Sequence, residues 1–96
     1  MANGCNQNPI GICSEAEGIN TIANGVASHA EGIGTTAGGN ASHTEGFQTI
    51  TTTDVAHAEG STTTASGAAS HAEGFLTIAS GETSHAEGAN TKAEGI

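Results

Sequence analysis

His29, His43, His57, His71 and His85 each lie 14 residues from the last, and this period limits the fold more than any other feature of the chain. Glu15 takes the histidine slot one period earlier. Two residues on, Glu17, Glu31, Glu45, Glu59, Glu73 and Glu87 form an unbroken column, followed by Gly18, Gly32, Gly46, Gly60, Gly74 and Gly88. Thr21, Thr35, Thr49, Thr63, Thr77 and Thr91 make another column. Ala23, Ala37, Ala65, Ala79 and Ala93 make the next, with Thr51 as the departure. The unit is close to Ser-His-Ala-Glu-Gly-x-x-Thr-x-Ala-x-Gly-x-Ala. Six copies run in phase from about Ser14 to Ile96, so residues 14–96 read as one repeat domain. Residues 1–13 stand outside the period and read as an N-terminal cap.

Each copy alternates with period two, as in a strand whose side chains point to opposite faces. One short strand is Ser-His-Ala-Glu, the other x-Thr-x-Ala, and a glycine closes each. Helix is opposed by 15 glycines, by many threonines and by the lack of an apolar face at 3.6. Two strands and two glycine corners in 14 residues make one flat coil, and stacked coils make an all-β parallel solenoid. Interior slots in so narrow a coil must be small and uniform, which fits Ser28, Ala30, Thr35, Ala37 and their repeats. Outer slots on the second strand drift, as in Ile22, Thr36, Ile50, Thr64, Ile78 and Lys92.

Composition explains why stacking is needed. With two Phe, no Trp or Tyr and a formal charge of −9, a single copy has little to bury. Lys92 is the only Lys or Arg, so nucleic acid and anionic membrane are excluded as non-specific partners. No apolar stretch is long enough to span a bilayer. The start lacks the basic and apolar regions of a secretory signal, so the chain reads as made without one or as a piece of a longer protein.

The first strand breaks the rule that outer slots drift, because its outward His and Glu columns are as uniform as the interior. Coils stack roughly 4.8 Å apart. A bare carboxylate ladder at that spacing repels by on the order of 1 kcal/mol per neighbouring pair in water. Interleaved imidazoles relieve this by hydrogen bonding or protonation. A uniform outward face points to a uniform partner, the same face of another chain, with His of one subunit reaching Glu of the next.

The repeat resembles the head repeats of trimeric autotransporter adhesins of the YadA type, whose usual strand is Asn-Ser-Val-Ala-Ile-Gly. The matching stretches are Ala27-Ser28-His29-Ala30-Glu31-Gly32 and Ala69-Ser70-His71-Ala72-Glu73-Gly74, and the likeness covers about residues 14–96. It implies a left-handed parallel β-roll of about six coils, a side-by-side homotrimer and a surface-exposed, non-enzymatic, adhesive or structural role. By position, the family's apolar interface slots become the His29–His85 and Glu17–Glu87 columns here, a polar seam. The Ser-His-Ala-Glu-Gly variant is also similar to repeats in surface proteins of Gram-positive bacteria and their phages. The expected location is therefore the exterior of a bacterial cell, spore or virion.

Other readings attach to the same residues. A His ladder beside carboxylates suits zinc or nickel, but stacked imidazoles pointing one way make a poor closed tetrahedral site, and no metal or other cofactor is assigned. Ser-His adjacency, as in Ser28-His29, is not a nucleophile and base, because neighbouring strand residues face opposite sides. A Thr ladder can bind ice if it faces outward. Ile19, Ile33, Phe47 and Phe75 share the column after the corner glycine and read as corner or interchain packing. Cys5 and Cys13 lie only in the cap and suit a disulfide, within that loop or between chains, in an oxidising location. Exposed strand edges at the solenoid ends favour end-to-end self-association.

Overall fold

The computed structural model describes residues 6–94. Among the described residues thirteen short strands follow one another: β1 (Gln7–Pro9), β2 (Glu15–Ala16), β3 (Thr21–Ala23), β4 (His29–Ala30), β5 (Thr36–Ala37) and β6 (His43–Phe47). They continue as β7 (Ile50–Thr51), β8 (His57–Ser61), β9 (Thr64–Ala65), β10 (His71–Ala72), β11 (Ile78–Ala79), β12 (His85–Ala86) and β13 (Lys92–Ala93). Odd-numbered strands form one seven-stranded sheet and even-numbered strands a six-stranded sheet. Every pairing is parallel and joins residues 14 apart, as in His43↔His57 and Ile78↔Lys92. The molecule is thus an all-β parallel solenoid of about six coils, a slab of 39 × 24 × 10 Å.

The expected interior is the observed one. Ser28, Ala30, Thr35 and Ala37 are buried, while His29, Glu31 and Thr36 on the alternate positions are only partly so. The core consists of Ala, Thr and Ser. Burying an alanine methyl contributes under ~1 kcal/mol, so burial alone does not hold the coils. Backbone hydrogen bonds between coils carry much of the load, for example His29 N–H to the Ser42 carbonyl (3.0 Å) and Thr36 N–H to Thr49 (3.0 Å).

Interior hydroxyls brace the corners. Thr35, Thr49, Thr63, Thr77 and Thr91 each donate Oγ1 to the carbonyl of the Glu four residues earlier, at 2.9–3.1 Å. Ser14, Ser28 and Ser42 donate Oγ to the carbonyl of the Gly three residues earlier, at 2.6–2.7 Å. The Thr hydroxyls give the corner Glu carbonyls a donor, whereas the Ser hydroxyls add a second donor to Gly carbonyls that already accept the Ser N–H, as at Gly25 (3.2 Å). Thr21, Ser70 and Ser84 in these columns make no such bond.

The two corners differ in a way the spacing does not reveal. In the first, Gly18, Gly32, Gly46, Gly60, Gly74 and Gly88 have φ of 101–108°. In the second, Gly11, Gly25, Gly39 and Gly67 have ordinary φ and are held to glycine by contact, since a Cβ on Gly25 would run into the backbone of Gly39, whereas Thr53 in the same column carries a side chain. Left-handed backbone instead recurs every seventh residue, at Ala27, Gly34, Ala41, Gln48, Val55, Thr62, Ala69, Leu76, Thr83 and Asn90, with φ of 53–66°. Such a conformation costs an L-residue roughly 1–2 kcal/mol. Each of these ten turns its N–H back to the coil before, as in Ala41 to Val26 (2.8 Å) and Val55 to Asn40 (2.9 Å), and this bond offsets the strain.

The solenoid also reaches further back than the period suggests. Within the segment read as a cap, Gln7, Asn8 and Pro9 pair in register with Thr21, Ile22 and Ala23. Gly11 falls in the Gly25 column and Cys13 in the left-handed column, with φ of 61°. Residues 7–13 are therefore a half-coil. Cys5 lies outside the described residues, and Cys13 is exposed.

Candidate functional site

The even-numbered strands present the His and Glu columns on one outer face. Period-two alternation aims His29 and Glu31 away from Ser28 and Ala30, and in-register stacking lays each column into a ladder. Imidazoles of His29, His43, His57, His71 and His85 are stacked near-parallel, with centroids 4.7–4.9 Å apart. That spacing is the coil repeat, so ring stacking costs the backbone nothing.

Each imidazole meets carboxylate within its own chain. His29 Nε2 donates to Glu17 Oε1 (3.2 Å) and lies 3.6 Å from Glu31 Oε1. His43 Nε2 lies 3.5 Å from Glu31 Oε2 and 3.4 Å from Glu45 Oε1. Further along, His57–Glu59, His71–Glu73 and His85–Glu87 approach to 3.1–3.2 Å. Proximity does not make these hydrogen bonds. Nε2 of His43, His57 and His71 is shielded from solvent, yet no acceptor lies along its N–H direction. Part of the role that the sequence gives to a second chain is thus met by the intrachain ladder, although the ring nitrogens keep unused bonding capacity.

Electrostatics favours a neutral ring at His57, in the middle of the stack. Burial depresses the pKa of His57, repulsion from His43 and His71 adds to this, and Glu59 opposes it. Burial raises Glu45, helped by the hydrogen bond shared with Glu31 and the charge of Glu59, against the pull of His43. Glu31 is also pushed up by burial, but its interaction with Glu45, the attraction of His29 and the proximity of Glu17 and His43 outweigh that, leaving it low. One carboxyl of the Glu31–Glu45 pair therefore holds a proton more readily than the other.

The sign for stability follows from His57. Its folded pKa is lowered, so the unfolded state binds more protons and stability rises with pH. The contribution is complete above the unfolded histidine value of about 6.5 and is lost as pH falls through the lower folded value. Melting temperature is expected to be level above about pH 7 and to drop between about pH 7 and 5. A higher melting temperature at the acid end, as an imidazolium–carboxylate seam requires, would refute a neutral His57.

The remaining sequence candidates separate cleanly. The Ser28 hydroxyl is buried and bonded to Gly25, on the opposite face from His29, so the two share no proton. The Thr column is interior, with Thr21, Thr35, Thr49, Thr63 and Thr77 fully buried, and offers no hydroxyl array to ice. Ile19, Ile33, Phe47 and Phe75 line the corner edge about half exposed. Beside them, Glu45, Glu59, Glu73 and Glu87 wall an open groove of about 500 Å³ floored by Gly60, Gly74 and Gly88. Sequence reasoning missed the corner-bracing hydroxyls; the signal was the unbroken Thr column itself. Comparison with models of protein families, with curated proteins and with solved structures yields no match.

Proposed function

We propose that this chain is a structural or adhesive surface segment: a left-handed β-roll that assembles side by side as a homotrimer on the exterior of a bacterial cell, spore or virion. The observation that carries the reading is the contrast between outer faces. On the odd-numbered sheet the outer column drifts through Ile22, Thr36, Ile50, Thr64, Ile78 and Lys92, as a merely solvated face does. On the even-numbered sheet the outer columns do not drift, and their central side chains are still about one-third exposed, 35% for His57 and 34% for Glu59. A uniform, partly exposed polar surface favours a regular partner, and a second copy in the same register supplies one. The half-exposed Ile33, Phe47 and Phe75 edge adds apolar surface beside that seam. The role is passive: stacked coils give a stiff rod, and lateral association covers its polar ladder. Strand edges at the ends permit end-to-end growth of the same rod.

The test is the solution mass of the purified chain by light scattering, at neutral pH with and without reductant. Three chains in both conditions is the expected result. A monomer would leave the His–Glu face without the partner on which this reading depends.

A further inference from the structure

We propose that the His–Glu ladder is a binding array for divalent transition-metal ions of the zinc and nickel class, complete within a single chain. Two ligand atoms about 2.0–2.2 Å from a tetrahedral ion lie roughly 3.4 Å apart. His29 Nε2 has Glu17 Oε1 at 3.2 Å and Glu31 Oε1 at 3.6 Å. His43 Nε2 has Glu31 Oε2 at 3.5 Å and Glu45 Oε1 at 3.4 Å. Both histidines therefore sit between two carboxylates at the spacing of co-ligands. Four three-residue groups bring their donor atoms within 4.8 Å of one another: Glu17–His29–Glu31, His43–Glu45–His57, His57–Glu59–His71 and His71–Glu73–His85.

Direction supplies a second, independent observation. In a hydrogen bond the acceptor lies on the N–H axis; in a metal site the ion lies on the nitrogen lone-pair axis and the other ligand lies off it. Nε2 of His43, His57 and His71 has a carboxylate oxygen at 3.1–3.5 Å but none in line. An ion on that axis satisfies a shielded nitrogen that nothing else satisfies, with the ring proton held on Nδ1. Imidazole with carboxylate is also the donor set such ions accept, whereas magnesium and calcium prefer oxygen alone.

Occupancy is limited by repulsion. Ions on neighbouring coils would stand at the ring spacing of 4.7–4.9 Å, where two doubly charged ions repel strongly. Alternate filling, roughly one ion for every two coils, relieves this and leaves each ion with positions open to water. In a trimer those open positions face the seam, where a carboxylate of a second chain can enter. The array does not need that chain, so a monomeric protein would leave this proposal standing.

The purified chain, stripped with chelator and held near pH 7.5, is titrated with zinc chloride by calorimetry, with magnesium chloride as the control. Zinc is expected to saturate at about one ion per two coils and, at a hundredfold excess over its dissociation constant, to raise the melting temperature by about 10 °C. Magnesium should do neither. Copper(II) loaded into the same protein should show imidazole nitrogen coupling in its electron paramagnetic resonance spectrum. A variant carrying His43→Gln, His57→Gln and His71→Gln should lose most of the uptake. Absence of zinc heat, equal uptake of magnesium, or a copper spectrum without nitrogen coupling would each overturn the proposal, and the last needs no variant to fold.

Discussion

Alanine in place of Gly60 is expected to destabilise the solenoid by about 4 kcal/mol or more, from two independent causes. Gly60 holds φ at 107°, outside the small left-handed region that other residues tolerate. Strain of that kind costs of order 1–3 kcal/mol. A Cβ at Gly60 also runs into the carbonyl oxygen of Gly74 in the next coil. That oxygen is backbone, and it accepts the Ser61 N–H at 2.9 Å, so it has no free direction in which to retreat. Relief requires the two coils to part, and the lost pairing propagates because Gly46 sits against Gly60 in the same way. Set against a total stability of about 5–15 kcal/mol for a typical domain, the change leaves little or no folded protein at 37 °C. Urea unfolding followed by far-ultraviolet circular dichroism measures it directly. A midpoint within about 1 kcal/mol of the parent would show that the corner relaxes, and the steric account of the glycine column would be lost.

The glycine column was plain in the sequence, but its reasons were only half legible there. A period of 14 with alternating small residues places Ser28, Ala30, Thr35 and Ala37 inside, and they are inside. Spacing cannot show that Gly25 and Gly39 in the second corner are held by contact while Ala27, Ala41 and Val55 take the left-handed angle. Those residues resist positive φ locally, and only the amide bond to the preceding coil makes it worthwhile. The pairing of Gln7–Pro9 with Thr21–Ala23, inside the segment read as a cap, was hidden for a related reason: backbone pairing needs no side-chain match. At the candidate site, the uniformity of the His and Glu columns was legible and their outward direction followed from alternation. That His43 lies near both Glu31 and Glu45 was not, since it depends on rotamers along the stack.

One coil departs from the pattern enough to predict where the rod is weakest. In the coil of residues 43–56, Thr44 and Thr51 stand where neighbouring coils have Ala30, Ala58, Ala37 and Ala65. Both are fully buried, and neither Oγ1 has a hydrogen-bond partner, unlike Thr35, Thr49, Thr63 and Thr77 with their Glu carbonyls. The alanine core breaks at this coil into two clusters, Ala23–Ala30–Ala37 on one side and Ala56 to Ala86 on the other. A buried unsatisfied hydroxyl costs about 1–3 kcal/mol, and the buried threonine methyl returns somewhat under ~1. Thr44→Ala with Thr51→Ala is therefore expected to stabilise the fold by about 2 kcal/mol and to raise the melting temperature by roughly 10 °C. Because the two residues share one coil, the single substitutions need not add, and both belong in the measurement. Lower stability in either single variant would mean that threonine fills space alanine leaves empty, with the void term exceeding the hydroxyl penalty. Higher stability in both would make these two hydroxyls the reason the core divides, since alanine at the same coil spacing already packs without a gap on either side.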